Sequence, residues 1–509
     1  MTSSYTASAG TQDSLTRDAL TVLQPGFGGT TAPDWLLRRI GEGLASVGLF
    51  GRNIQTPEQV AALTAQLRAE REDIVVAIDE ESGDVTRLEV RTGSSFPGNH
   101  ALGAVDDVAL TRGVAAELGR RLAECGVTFN WAPSADVNSD PGNPVIGVRS
   151  FGSDPDLVAR HTGAYIEGMQ SAGVAACAKH FPGHGDTDVD SHHGLPRFTA
   201  DADEIARTAL PPFAAAMDAG VRAVMTAHML VPAHDEEMPA TLSGPIINGL
   251  LREQLGFTGL VVTDGIEMGA VTGPYGITGA TVRAVAAGVD AVCVGGESAE
   301  ESTTVDLADA LVRAVLDGTL PEERLTEAAA RVGEFATWSA ALARQTDPEA
   351  DATDIGLVAA RRAVRVHRSG NGAELPLAAD PHVVELSPTM SLAVDGATPW
   401  GVGEPLRALR PGTTSVRISE SELTGQDDLL DRLALAPANG RDLIVVVRDA
   451  ARHPWMSQAL QGLVRRRPDA LVVEMGVPAG EQVGAVHVTT YGATRVSGIA
   501  VAEVLAGAS

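Results

Sequence analysis

The chain has 509 residues, of which 44% are hydrophobic, so it is long enough to form two or more domains with separate cores. Its formal net charge is −28 at pH 7. Such an acidic surface repels nucleic acid and anionic membranes, and no basic cluster in the sequence offsets it. We therefore expect neither nucleic acid nor a membrane as a partner.

The cysteines and the N-terminal residues predict a cytoplasmic protein. Cys125, Cys177 and Cys293 are widely spaced, form no CxxC motif and lie in apolar contexts, which is typical of buried, reduced thiols. The first 20 residues contain neither the basic nor the apolar region of a signal peptide. No apolar run approaches the roughly 20 residues that a membrane-spanning helix requires.

Short, β-branched apolar runs alternate with longer stretches of helical period through the first 300 residues. Eight of these runs are candidate strands, at residues 20–27, 47–53, 74–81, 127–134, 174–181, 222–229, 260–267 and 290–297. Strands that alternate with helices indicate a parallel sheet, and eight such units in about 300 residues match a TIM-like (β/α)₈ barrel. The sequence predicts this barrel over residues 20–340, after a flexible segment at 1–19.

A second, smaller α/β pattern follows a charged segment that we interpret as a linker over residues 341–375. Its candidate strands are at residues 381–388, 413–420, 441–450, 468–478 and 485–492, before a final helix at 493–508. This pattern predicts a three-layer α/β sandwich over residues 376–509, to which the sequence assigns no chemistry.

Five of the barrel runs change from apolar to polar where the strand should end. These ends carry Asp79, Asp136, the pair Lys179 and His180, His228, and Asp264. The active site of a (β/α)₈ barrel lies at the carboxyl ends of its strands, so we expect these side chains to surround one pocket. A buried lysine beside carboxylates also requires a partner.

The stretch AKHFPGHGDTDVDSHHGLP (178–196) concentrates histidine and aspartate, and three interpretations compete for it. Histidine and aspartate can bind metals, although His180 and His184 flank a Phe-Pro-Gly turn rather than share a helix. The central GDTDV is typical of a solvated turn. Asp190 and His192 are two residues apart on an extended segment, so the carboxylate could orient the imidazole as a general acid/base.

Several motifs carry a family resemblance. The segment KHFPGHGDTDVDSHHGLP resembles the signature of the bacterial β-N-acetylglucosaminidases in glycoside hydrolase family 3. AIDEESGDVTRL, APSADV, NPVIGVRSFG, VMTAHM, PATLS and LREQLGFTGLVVTDGIEMGA resemble further blocks of that family. The resemblance covers roughly residues 20–340, and the C-terminal domain resembles the second domain of longer members.

The resemblance implies roles for individual residues. Asp264 matches the nucleophile that forms a covalent glycosyl–enzyme intermediate, and His192 with Asp190 matches a His–Asp acid/base pair on a mobile loop. The sugar-contacting residues of the family match Asp79, Arg87, Arg149, Lys179 and His180.

Other residues in the matching motifs have structural interpretations. For Arg149, an ion pair at the barrel rim is the alternative to a sugar contact. We interpret His184 and His228 as hydrogen-bonded scaffold residues and His193 as loop surface.

The implied activity is that of a retaining exo-β-N-acetylglucosaminidase without a metal or organic cofactor. Its expected substrates carry terminal β-linked N-acetylglucosamine (GlcNAc), as in chitin fragments or products of cell-wall turnover. A histidine acid/base is neutral when it acts as a base, so inorganic phosphate could replace water and release GlcNAc 1-phosphate. A metal-dependent hydrolase that uses the His/Asp loop is the other alternative.

The sequence departs from the family pattern at one block. Ser82-Gly83-Asp84 stands where the family has Gly-Gly-Arg, which reverses the local charge. This change weakens a preference for anionic muramyl leaving groups.

Overall fold

The structure, a computed structural model, describes residues 9–187, 194–296, 298–344, 354–369, 374–391, 393–426 and 428–508. Asp190, His192 and His193 lie outside these ranges. The chain divides into two units. The first contains residues 1–80, 111–137 and 153–352, and the second contains 81–110, 138–152 and 353–509.

The strands, in chain order, are β1 Leu23–Pro25, β2 Ser46–Leu49, β3 Val75–Ile78, β4 Phe129–Asn130, β5 Ala175–Phe181, β6 Ala223–Thr226, β7 Leu230–Val231, β8 Asp235–Pro239, β9 Leu260–Thr263, β10 Val292–Val294, β11 Arg365–Arg368, β12 His382–Ser387, β13 Thr414–Ser419, β14 Leu443–Val447, β15 Leu471–Glu474 and β16 Val486–Thr489.

The α-helices are α1 Ala9–Thr21, α2 Asp34–Glu42, α3 Pro57–Glu70, α4 Asn99–Val105, α5 Val108–Glu124, α6 Pro155–Ser171, α7 Ala202–Thr208, α8 Pro211–Asp218, α9 Gly269–Ala287, α10 Glu301–Leu316, α11 Glu322–Ala343, α12 Ile355–Ala363, α13 Gly403–Leu409, α14 Glu420–Leu423, α15 Pro454–Arg466 and α16 Arg495–Ala506. Shorter or wider helical segments are Gly51–Asn53, Gly147–Arg149, Ala240–Leu242, Pro245–Gln254, Asp431–Leu435 and Ala450–Arg452. Within the described ranges, no helix combines the length and the apolar character that crossing a membrane would require.

Eight parallel strands follow one another around a barrel in the first unit. Six of them form one sheet in the order β2-β3-β4-β5-β6-β9, and β10 pairs with β1. A bridge between Val262 and Ala291 connects β9 to the residues before β10, and the Ser46 hydroxyl donates to the Leu23 carbonyl between β2 and β1. The predicted (β/α)₈ barrel is confirmed.

The barrel interior is filled by every second residue of its strands. These inward side chains include Val75, Ala77, Phe129, Trp131, Ala175, Cys177, Ala223, Met225, Leu260, Val262, Ala291 and Cys293. Helix α11 adds Val332, Phe335 and Ala336, and the Phe335 ring lies 4.8 Å from that of Phe129 between centroids. The two-residue alternation of a strand therefore decides which polar residues point inward beyond this core.

The second unit contains a six-stranded sheet in the order β11-β16-β15-β14-β12-β13. Its strands are parallel except β11, which runs antiparallel to β16. One face of the sheet packs against residues of α13 and α16, and the other against residues of α15 and of the segment Asp431–Leu435. The predicted three-layer sandwich is confirmed.

The boundaries differ from those that the sequence predicts. Helix α1 begins at Ala9, inside the stretch predicted to be flexible, and buries Leu15 and Ala19. Helix α12 and strand β11 lie inside the stretch predicted to be a linker. Residues 81–110 and 138–152, which the sequence assigns to the barrel, belong to the second unit.

A buried carboxylate holds three arginines together beside the barrel. Asp290 is fully buried and accepts hydrogen bonds from Arg252 at 2.5 Å, from Arg324 at 2.7 Å and from Arg331 at 3.2 Å. The Val261 backbone N–H donates to the same carboxylate at 3.0 Å. Asp290 thus joins the segment Pro245–Gln254, β9 and α11.

Asp290→Asn should lower the free energy of unfolding by about 3–5 kcal/mol, because it leaves partly buried guanidinium groups without their counter-charge. Urea unfolding followed by circular dichroism measures the loss. Asp309→Ala, at an exposed position of α10, is the control and should change stability by less than about 0.5 kcal/mol. Equal stability of the two variants would show that the charge of Asp290 is unimportant.

Candidate active site

Three charged residues continue the inward-facing rows of the barrel at its carboxyl end. Asp79 follows Val75 and Ala77 at two-residue spacing, and Lys179 and Asp264 continue the rows of β5 and β9 in the same way. Their charges all act on the Cys177 thiol in the barrel core, whose pKa is raised mainly by burial. The predicted strand-end residues Asp79, Lys179 and Asp264 therefore lie at the same end of the barrel.

Lys179 and Asp79 form a direct ion pair across the end of the barrel. The Lys179 Nζ atom lies 2.5 Å from Asp79 Oδ1, and the two side chains are 3% and 19% exposed. Because a buried ammonium group is costly without a partner, Asp79 stabilises the charged lysine. Two hydrogen-bonding groups for a polar ligand are thus fixed side by side.

Asp136 organises the two histidines that precede the masked loop. It is fully buried, and its Oδ2 atom lies 2.7 Å from His180 Nδ1, while the Ser134 hydroxyl donates to the same oxygen at 2.9 Å. The backbone N–H groups of His180 and His184 donate to Oδ1 at 3.2 and 2.7 Å. Since a carboxylate only accepts, His180 carries a proton on Nδ1, and Nε2 is the nitrogen that can change its protonation state.

The same cluster shifts two pKa values. Burial raises the pKa of Asp136, but the charge and the hydrogen bond of His180, together with His184, outweigh it and hold the pKa below its ordinary value. Burial lowers the pKa of His184 to about 4, assisted by the neighbouring charge of His180. His184 is therefore neutral near pH 7. Its Nδ1 atom lies 3.1 Å from Thr187 Oγ1, which agrees with the predicted scaffold role.

Asp264 follows β9 and is held by the turn it begins. Its own Oδ1 atom accepts the Gly265 N–H at 2.8 Å, and its backbone N–H donates to the Thr226 carbonyl at 3.3 Å. The fully buried His228 bonds to the Gly265 carbonyl through Nε2 at 2.9 Å and to Thr241 Oγ1 through Nδ1 at 2.8 Å. His228 therefore fixes the turn after Asp264, which is the scaffold role predicted for it.

A further carboxylate lies close to this turn. Glu267 accepts hydrogen bonds from the N–H groups of Gly295 and Gly296, while Arg52 donates to the carbonyls of the same two glycines. Burial, and to a smaller extent the charge of Asp264, raises the pKa of Glu267. Glu267 and Arg52 together hold the turn that follows β10. The sequence analysis did not select either residue, because a Glu inside DGIEMGA is also typical of an ordinary helix start.

The two predicted sugar-contacting arginines belong to the second unit. Arg149 forms two hydrogen bonds with Glu81, at 2.9 Å from Nε and 2.6 Å from Nη2, and both side chains are buried. Its Nη1 atom donates to the Val145 carbonyl at 3.2 Å. The ion pair considered for Arg149 is present. Arg87 is half-buried and donates to the Ala393 carbonyl at 3.1 Å.

The metal-site interpretation finds no support in the part of the chain that the structure describes. Across residues 9–187 and the later described ranges, no group of three or more His, Cys, Asp and Glu side chains is arranged to hold a metal ion. Asp190 and His192 lie outside those ranges, so their pairing stays a prediction.

The barrel and its matching sequence blocks identify the family. The family model described as the glycosyl hydrolase family 3 N terminal domain matches residues 33–335. The chain belongs to glycosyl hydrolase family 3. The predicted family resemblance is thereby confirmed, and Asp79, Lys179, His180 and Asp264 all fall inside the matched residues of this family 3 barrel.

Relatives in the family carry related names. The chain is 40% identical over 264 residues to "Beta-hexosaminidase A" of Pseudoalteromonas piscicida, which covers 48% of this chain and 44% of that protein. It is 34% identical over 297 residues to "Beta-hexosaminidase" of Chromobacterium violaceum, covering 57% of this chain and 80% of that protein. The chain thus spans less than half the length of the first relative.

One solved structure is similar over nearly the whole chain. It is a glycoside hydrolase family 3 beta-N-acetylglucosaminidase from Paenibacillus sp. str. FPU-7, with a TM-score of 0.84 and 32% identity. The similarity covers 97% of this chain and 96% of that one, so it includes both units.

The neutral state of His184 should make stability depend on pH. The pKa of histidine is about 6.5 in an unfolded chain, against about 4 in the folded protein. Between these values the unfolded state takes up a proton that the folded state excludes. The free energy of unfolding therefore falls as the pH is lowered from about 6.5 to about 4, by up to about 3 kcal/mol.

His184→Asn removes this titration, so its unfolding free energy should fall less than that of the unaltered chain over the same pH range. Urea unfolding at several pH values between about 7 and 4 measures both curves. Parallel curves would contradict a neutral, buried His184.

Proposed function

We propose that the chain is a retaining exo-β-N-acetylglucosaminidase that removes terminal β-linked GlcNAc through a covalent glycosyl–Asp264 intermediate. The observation that carries the proposal is the inward-facing set of Asp264, Asp79 and Lys179 at the carboxyl end of a family 3 barrel. Supporting it are the relatives named beta-hexosaminidase and the similar beta-N-acetylglucosaminidase structure. The substrate is accordingly a GlcNAc-containing saccharide.

The first half of the reaction forms the intermediate. The Asp264 carboxylate attacks the anomeric carbon and stabilises the positive charge that develops there, while the glycosidic bond breaks. His192 gives its proton to the departing oxygen, and Asp190 favours the protonated imidazole that this step needs. Asp79, Lys179 and His180 hold the sugar hydroxyls, and Arg87 and Arg149 supply the further sugar contacts that the family resemblance implies.

The second half of the reaction releases the sugar. Neutral His192 removes a proton from water, the water oxygen attacks the anomeric carbon, and the bond to Asp264 breaks. Two displacements at the same carbon restore the β configuration. The three unpaired, buried cysteines also support a reducing, cytoplasmic compartment for this activity.

Asp264→Ala should lower kcat by about a thousandfold or more, because no carboxylate remains to form the intermediate. Hydrolysis of an aryl β-GlcNAc measures the loss. Asp203→Ala, at an exposed position of α7, is the matched control and should retain the rate of the unaltered chain. Substantial activity of Asp264→Ala would refute Asp264 as the nucleophile.

His192→Ala should slow substrates with poor leaving groups far more than an activated aryl substrate, because only the former need a proton. With the activated substrate, the intermediate should accumulate, and mass spectrometry of quenched protein should find one GlcNAc residue attached to Asp264. Equal losses on all leaving groups, with no adduct, would remove His192 from the acid/base role.

Water should be the acceptor, so an aryl β-GlcNAc should give free β-GlcNAc first, with or without inorganic phosphate. Proton and phosphorus NMR identify the products. The histidine favours phosphate as a second candidate acceptor, because a neutral base does not repel an anion as a carboxylate would. GlcNAc 1-phosphate and a faster rate in phosphate would make the protein a phosphorylase. Loss of activity in a chelator would instead favour the metal-dependent hydrolase.

A further inference from the structure

Two buried ion pairs hold the turn that departs from the family pattern. Glu81 pairs with Arg149, and Asp84 pairs with Arg448 at 2.5 Å. The side chains of Asp84 and Arg448 are 2% and 7% exposed, and the Ala493 N–H donates to the other oxygen of Asp84 at 3.1 Å. The reversed charge at position 84 therefore has a partner 364 residues later in the chain.

The turn between these two ion pairs is tight. Glu81 N–H donates to the Val85 carbonyl at 3.1 Å, and Ser82 and Gly83 both have positive φ angles, of 73° and 66°. A Cβ atom at Gly83 would lie 2.5 Å from the Gly98 Cα atom, which no side chain can accept. The position of Asp84 is thus transmitted directly to the residues that follow it.

Arg87 lies only three residues beyond Asp84. Its guanidinium contacts the Ala393 carbonyl, so the residues around it are held within the same unit as Arg448. Further along, Arg495 donates to the Gly93 carbonyl at 3.3 Å and to the Ser95 hydroxyl at 2.9 Å. The C-terminal residues therefore hold the whole segment 81–110, and Arg448 is the contact nearest to Arg87 in sequence terms.

We propose that Arg448 is a positioning residue for substrate binding, which acts through Asp84 on the segment that carries Arg87. This inference rests on the proposed function, in which Arg87 contacts the sugar. It also gives the C-terminal sheet a task in the reaction: the residue after β14 sets the position of a binding side chain. A contact of this kind affects the bound sugar before the reaction begins, so it should act on KM more than on kcat.

Arg448→Met keeps most of the side-chain length and removes the charge. It should raise the KM for an aryl β-GlcNAc about tenfold and leave kcat within about twofold. Asp84→Asn should do the same, although it keeps an oxygen for the Ala493 N–H. The double variant should be no worse than either single variant, because both remove one interaction. Arg448→Lys, which keeps the charge, should restore part of the binding.

Arg417→Met is the matched control. Arg417 lies over the same Trp400 ring as Arg448, at 4.6 Å against 5.7 Å, and it also pairs with a carboxylate, Glu385, at 2.7 Å. Its partner is not in segment 81–110, so its loss should leave KM unchanged. Melting temperatures of all variants are measured alongside the kinetics, and a merely structural role would lower them without changing KM.

The outcomes separate the two hypotheses. An unchanged KM in Arg448→Met and Asp84→Asn, an equal rise in Arg417→Met, or additive effects in the double variant would overturn the positioning role alone. A wild-type chain that neither cleaves the substrate nor binds GlcNAc by calorimetry would overturn the proposed function and this inference with it. If Arg448→Met does not fold, the double variant, which leaves no unpaired buried charge, supplies the test.

Discussion

The two-residue repeat of a parallel barrel is the constraint on which the candidate site depends. Every second side chain of β3, β5 and β9 must point into an interior that small and apolar residues fill. The next inward position on each strand lies at the carboxyl end, where the core stops and a polar side chain can be tolerated. Asp79, Lys179 and Asp264 occupy these positions, so the packing of the barrel itself aims them at one point.

Charges at this depth need partners, and the partners explain the surrounding polar residues. Lys179 is nearly inaccessible to solvent, and Asp79 provides the counter-charge. Asp136 is fully buried and has four donors, two of them backbone N–H groups, which hold the residues around His180 and His184 in place. Desolvation makes an unpaired charge expensive here, so removing either partner should disturb the whole set rather than one contact.

The sequence predicted the barrel, the sandwich and the strand-end residues because these depend on local patterns. Alternating apolar runs are visible in a single chain, and so is the change to a polar residue at Asp79 or Asp264. It did not predict α1 or β11, whose stability comes from tertiary contacts. The residues of α1 are mostly polar, and all four residues of β11 are exposed, so it forms as an edge strand by pairing with β16.

The largest difference between sequence and structure, the placement of segments 81–110 and 138–152 in the second unit, has the same cause on a longer scale. The sequence showed Ser82-Gly83-Asp84 only as a lost Arg and a reversed charge. The structure adds that Arg448 neutralises this charge, and that the pair is buried where an unpaired carboxylate would be costly. A departure from a motif thus need not mean a lost function, because a distant residue can supply the missing charge from the other side of the contact. What one chain conceals is the pairing, since nothing near Asp84 or near Arg448 in the sequence points to the other.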